Sequence, residues 1–159
     1  ANGVFSGPQR DVYQLVDAAR AAGIDATRPG ATIADVHEAS TRVLTRGLVD
    51  LGVLTGDVDT LIEDGAHKPW FPHQTSHWLG LDVHDVGNYA AEGAARTLEA
   101  GMVFTIEPGL YFRPGGGPET FEGIGVRIED DVMVTPEGRE VLTAGLPTSA
   151  ADIEDLLRS

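Results

Sequence analysis

The sequence predicts an α+β fold, helices first and strands after, and three observations carry that prediction. Apolar residues recur at helical spacing as far as about residue 64, on segments with caps and glycine stops. From residue 68 onward, prolines interrupt the chain and two-residue alternation replaces the helical period. Strands then follow strands without intervening helices or an internal repeat, which is the order of an α+β plan.

Ala1-Asn2-Gly3-Val4-Phe5-Ser6-Gly7 reads as a strand end and a turn, entered from something upstream. Ser6 or Gly7 precedes Pro8, a favourable first helical residue. Val12, Leu15, Val16 and Ala19 form one apolar stripe, so a helix is expected to about Asp25 despite Gly23, with Arg28-Pro29-Gly30 breaking it. Thr32 caps a second helix, and Asp35 three residues on completes a capping-box arrangement. Val36, Ala39, Val43, Leu44, Leu48 and Leu51 mark its buried face, and Gly52 closes it. His37, between Asp35 and Glu38, is expected on the surface without a role. Residues 57–64 form a short third helix ended by Gly65.

Pro69 and Pro72 exclude helix from the next stretch. Residues 75–86 alternate as a strand, and residues 89–100 form a small-residue loop with a helical turn. Residues 102–109 are a strand ending in the Pro108-Gly109 turn, and residues 110–119 are loop. Residues 123–135 give the clearest strand, with Ile124, Val126 and Ile128 on one side and Arg127 and Glu129 on the other. A turn at residues 136–138, a short strand at 140–143 and a terminal helix at 150–157 complete the chain.

The 159 residues are one domain's worth, and 42% hydrophobic with 23% charged residues is a globular balance. No apolar run is long enough to span a membrane. Zero cysteines exclude disulfides and thiolate metal sites. A net charge of −14 argues against nucleic acid, whose phosphates need Lys and Arg; it fits carboxylates gathered for a hard metal ion, and equally simple solubility.

Chemistry concentrates in one stretch, where His73, His77 and His84 are three of the five histidines. His73 and His77 are an even number of residues apart and face one side of an extended chain, whereas His84 needs a bend near Gly80 or Asp82 to join them. Glu107 lies among Val103, Phe104 and Ile106, where a carboxylate needs a cation beside it or an edge position in solvent. Arg127 and Glu129 share a strand face, as a site or as a simple ion pair. One imidazole with several carboxylates suits Mn²⁺, Co²⁺, Fe²⁺ or Zn²⁺ better than Ca²⁺ or Mg²⁺. Serine catalysis is the rival, but Ser76 beside His77 points to the opposite face and no Gly-x-Ser-x-Gly elbow occurs.

Three ordered blocks resemble the Xaa-Pro aminopeptidases, the aminopeptidase P and prolidase group of metallopeptidases. They are Ser76-His77-Trp78-Leu79-Gly80-Leu81-Asp82-Val83-His84-Asp85-Val86-Gly87, then Thr105-Ile106-Glu107-Pro108-Gly109-Leu110-Tyr111, then Gly123-Ile124-Gly125-Val126-Arg127-Ile128-Glu129-Asp130-Asp131. The resemblance implies the pita-bread fold around two divalent ions, most often Mn²⁺, with Zn²⁺, Co²⁺ or Fe²⁺ as alternatives. It implies that His77, Glu107 and Glu129 are metal ligands, Glu129 bridging the ions. It further implies that Glu107 takes a proton from the attacking water, that His73 and His84 hold substrate and stabilise the oxyanion, and that Arg127 supports the site. The reaction implied is removal of the residue before proline by a metal-bridged hydroxide, on peptides with proline second, in a cytoplasmic homo-oligomer.

Two aspartate ligands that the family carries before the first helix have no counterpart here. Residues 1–159 are therefore expected to be the C-terminal portion of the catalytic domain, the second half of the pita-bread fold, holding metal weakly and lacking full activity alone. Prolidase, which cleaves Xaa-Pro dipeptides, a non-catalytic pita-bread binding module and a metal-free creatinase-like hydrolase are the alternatives.

Overall fold

The structure is a computed structural model and describes residues 3–91 and 93–158. In chain order these form α1 (Gly7–Ala26), α2 (Ile33–Asp50), α3 (Val58–Glu63), β1 (Ala90–Ala91), β2 (Ala94–Ala95), β3 (Val103–Ile106), β4 (Gly109–Tyr111), β5 (Gly125–Arg127), β6 (Asp130–Thr135), β7 (Gly138–Val141) and α4 (Ala150–Arg158). The expected order of helices and then antiparallel strands is the one observed. Local chemistry sets the helix starts: Ser6 with Gln9, and Thr32 with Asp35, each form a complete capping box, and the Asp57 side chain caps α3.

α1 and α2 pack together above the sheet. Their buried faces (Val12, Val16, Leu44 and Leu48) meet Phe71, Leu110, Phe112 and Ile128 in one core cluster. Ile24, Val36, Trp78, Phe104, Ile106, Val132 and Val134 form the second cluster. Gly23 is a point of close approach between α1, α2 and β3 in that second region, because a Cβ there would lie 2.7 Å from Ser40 Oγ and 2.9 Å from Ile106 Cγ2. Gly23→Ala is therefore expected to destabilise the fold by about 1–3 kcal/mol, although alanine gains roughly 1 kcal/mol in helix propensity. Thermal unfolding reads this directly, and a melting point above wild type would show that the crossing relaxes freely.

The sheet departs from the sequence expectation in an informative way. The strand expected over 123–135 is two strands: β5 pairs with β4, and β6 pairs with β3 on one side and β7 on the other. The break lies at residues 128–129 because Pro108 sits opposite Ile128. The Ile128 N–H donates to Pro108 O at 3.4 Å, and proline has no N–H to return. The register nonetheless carries straight through. Ile106 pairs with Asp130 and Gly109 with Arg127, so stepping inward from either pair puts Glu107 opposite Glu129.

Residues 75–86 are not a full strand. Only 75–79 run along β3, with Glu107 N–H donating to Thr75 O (2.7 Å), Thr105 N–H to His77 O (3.0 Å) and Leu79 N–H to Val103 O (3.1 Å). The returning bond at His77 goes to the Thr105 hydroxyl (3.1 Å) instead of its carbonyl, which leaves a half-made ladder and one bridge, Trp78 with Phe104. Beyond Gly80 the chain turns back, with Asp85 N–H donating to Trp78 O at 3.1 Å. The helical turn expected in 89–100 is instead the small β1–β2 hairpin, with Gly93 at φ 83°. Residues 110 and 111, expected in a loop, belong to β4.

On β6 a charge faces inward. Asp130 shares the core-facing side of β6 with Val132 and Val134, and the residue is 2% exposed. Arg20 of α1 meets it with an ion pair, is itself braced by Asp17 (2.7 Å), and Thr143 donates its hydroxyl to the same carboxylate. This contact ties the first helix to the residue next to Glu129.

Candidate metal centre

Parity along the strands gathers the site. Residues directly opposite in antiparallel strands share a face. His77 opposes Thr105, and Glu107 opposes Glu129, so the odd-numbered His77, Thr105, Glu107, Tyr111, Arg127 and Glu129 all project to one side. The even-numbered Trp78, Phe104, Ile106, Ile128 and Val132 are buried on the other. Because Pro108 and Ile128 occupy a hydrogen-bonding position, their neighbours Glu107 and Glu129 occupy the non-hydrogen-bonded one, where facing side chains lie closest.

Two carboxylates at that position repel each other. Burial raises the Glu129 carboxyl above the ordinary glutamate range, and the nearby Glu107 and Asp131 charges raise it further. His77 adds a third donor. Its Nδ1 lies 3.0 Å from the Trp78 carbonyl, which can only accept, so that nitrogen carries the proton. The Nε2 lone pair is thereby left facing Glu107 Oε1 at 3.3 Å. Three lone-pair donors converge, their ligand atoms all within 4.8 Å of one another. That is close to the roughly 4 Å across the coordination sphere of a first-row ion. The backbone carbonyl behind His77 is the kind of partner that fixes a metal-binding imidazole. The donor set fits a divalent transition metal.

Around these three lies a hydrogen-bonded chain. Arg127 Nη1 donates to Glu107 Oε2 (2.9 Å), and Arg127 Nε donates to the Tyr111 hydroxyl (2.7 Å). Tyr111 in turn lies 2.9 Å from His73 Nε2, and His73 Nδ1 lies 2.8 Å from the Gln74 carbonyl. The carbonyl fixes the proton on Nδ1, so Tyr111 donates to Nε2. Gly109 makes room for this chain, since a Cβ there would meet Tyr111 Oη at 2.6 Å. His84 reaches the site by the bend anticipated after Gly80, and its ring stands edge-on to His77 with centroids 4.4 Å apart.

The fold thus brings together all six residues singled out in the sequence: His73, His77, His84, Glu107, Arg127 and Glu129. Sequence reasoning missed Tyr111 and Thr105, although both share the parity of Glu107. It also misplaced His37, which is half-buried and bonded to Thr75.

The raised Glu129 carboxyl has a consequence for stability. Its proton is held more tightly in the folded than the unfolded chain, so metal-free stability is lost as pH rises from the ordinary glutamate range through the folded value. Melting curves of metal-stripped protein between pH 4 and 7 are expected to show that decline, and Glu129→Gln is expected to flatten it. Equal slopes in the two proteins would refute the assignment.

Comparison with known proteins gives the family and the fold. The sequence profile of metallopeptidase family M24 matches residues 1–136. The Xaa-Pro aminopeptidase of Haemophilus influenzae is 50% identical over 157 residues, which cover 98% of this chain and 36% of that protein. The structure of Pseudomonas aeruginosa aminopeptidase PepP superimposes with a TM-score of 0.96 at 50% identity, over 99% of this chain and 36% of the other. Zinc-substituted E. coli aminopeptidase P in complex with product gives a TM-score of 0.93 at 47% identity, over 99% of this chain and 36% of the other. The chain therefore spans about a third of the length of the relatives it matches. The half of a pita-bread fold expected from the three sequence blocks is the fold observed.

Proposed function

We propose that this chain, which belongs to metallopeptidase family M24, carries one side of the metal centre of an Xaa-Pro aminopeptidase, with His77, Glu107 and Glu129 as ligands. The observation that carries the reading is the facing pair Glu107 and Glu129, with the Nε2 lone pair of His77 aimed at them. A nitrogen donor with carboxylates suits Mn²⁺, with Zn²⁺, Co²⁺ or Fe²⁺ as substitutes. The bound metal supplies Lewis acidity and a nucleophile at neutral pH.

The chain's own residues do the rest. Glu107 accepts the proton of the attacking water, while Arg127 pins its second oxygen and keeps the carboxylate oriented. His84, exposed beside His77, is placed to donate to the oxyanion that develops on the carbonyl before proline. His73 holds the substrate, its ring oriented by Tyr111 and the Gln74 carbonyl. Peptides with proline second are the substrates. A cytoplasmic setting and a homo-oligomeric assembly belong to the same proposal and rest on the family resemblance alone. Residues 1–159 are assigned to the C-terminal portion of the catalytic domain on the family resemblance; that they match about a third of the relatives' length fits a portion of it.

The test is release of the first residue from Xaa-Pro peptides of increasing length by the whole gene product, stripped of metal and then reloaded with Mn²⁺. Metal-dependent release from tripeptides and longer chains is expected. Cleavage of dipeptides alone would replace the assignment with a prolidase, and metal binding without cleavage would replace it with a binding module.

A further inference from the structure

His37 lies outside the metal centre, yet it grips the segment that presents it. Its Nδ1 is 3.2 Å from the Thr75 amide and 2.8 Å from the Thr75 hydroxyl. An amide only donates, so Nδ1 is an unprotonated acceptor and the ring proton sits on Nε2. Thr75 is wholly buried, so its amide and hydroxyl depend on that single nitrogen in place of water. Thr75 also stands midway between His73 and His77, and its carbonyl accepts the Glu107 N–H at 2.7 Å.

We propose that His37 is a positioning residue: its Nδ1 clamps Thr75 and so fixes the backbone that presents His73 and His77 against Glu107. The ring packs on Phe71, centroids 5.5 Å apart, and Phe71 also meets the His73 ring edge-on at 5.0 Å. Burial lowers the affinity of His37 for a second proton, and the neighbouring His67 and His73 lower it further, which keeps the acceptor form in place near neutrality. The half-made ladder explains why a clamp is needed. The Thr75 and His77 carbonyls receive bonds from β3, and Leu79 N–H returns one to Val103 O. The Thr75 and His77 amides donate to side chains instead of to β3 carbonyls, so the segment is less firmly tied than a paired strand. As a consequence for the metal, this inference rests on His77 and Glu107 being ligands; as a clamp on Thr75 it does not.

The experiment compares wild type with His37→Leu, which keeps the packing on Phe71, and His37→Asn, which returns an acceptor near the position of Nδ1. Hydrogen exchange is followed at the Thr75 and Glu107 amides in metal-free protein, at a temperature where all three are folded by circular dichroism. Mn²⁺ affinity is then measured by calorimetry. Exchange at both amides is expected to quicken about tenfold in His37→Leu and to recover in His37→Asn. Mn²⁺ affinity should follow the same order, falling about tenfold in the leucine variant. Unchanged exchange in His37→Leu, or equal acceleration in both variants, overturns the clamp. The metal titration uses the whole gene product; if that binds no Mn²⁺, the ligand assignment has failed, and the exchange data still decide the clamp.

Discussion

In the whole gene product, Glu129→Gln is expected to cut Mn²⁺ affinity by at least about a hundredfold and to remove turnover, since changes merely behind a ligand already cost 10–100-fold. Glutamine keeps the shape of the side chain and removes only its charge. The same change relieves the opposition between Glu129 and Glu107, so the metal-free protein should melt no lower than wild type. These two results have opposite signs, and that separates a ligand from a structural carboxylate. A residue needed for folding would lose both stability and metal; a ligand held against a like charge loses only the metal. Calorimetric titration with Mn²⁺ and paired melting curves with and without chelator give both readings. Wild-type affinity in the variant would remove Glu129 from the site.

Arg20→Met should be the most damaging single change far from that centre. Methionine fills the volume but leaves the Asp130 carboxylate, in a residue 2% exposed, with the Thr143 hydroxyl in place of a cation. Breaking a buried pair in this way costs about 3–5 kcal/mol, or a melting point lower by roughly 10 °C in a chain of this size. Adding Asp130→Asn should recover much of the loss, because an amide is cheaper to bury than an unpaired charge. A double variant no more stable than the single one would show that packing of the Arg20 stem, and not its charge, is what matters. Glu129 is the next residue along, so the single variant should weaken Mn²⁺ binding as well.

The helices were legible because their signals are local. Ser6 with Gln9 and Thr32 with Asp35 announce their starts, and apolar spacing fixes their inner faces. Site parity was legible for the same reason: alternation placed Arg127 with Glu129, and His73 with His77, before any partner strand was known. What could not be read was pairing. The interruption at residues 128–129 depends on Pro108, about twenty residues away in sequence and directly opposite in space. Residues 75–86 carried a strand pattern, yet only the part that lies against β3 is extended, and the rest turns back to bring His84 to His77. His37 was misread because a histidine between two acids on a helix looks solvated, and nothing in its own neighbourhood reveals Thr75.

The uninterrupted register through Pro108 also determines which lengths of chain the protein can change. The separation of the two facing carboxylates is set by ladders on either side of them, not by the connection between β4 and β5. Insertions at residues 113–115, ahead of the buried Phe121, should therefore leave the site intact, as long loops add little closure entropy. A single residue inserted within β3 or β6 would instead turn Glu107 or Glu129 toward the core and expose Phe104, Ile106, Val132 or Val134. Length variation among natural relatives of this chain should accordingly gather in the connection and be absent from the strands.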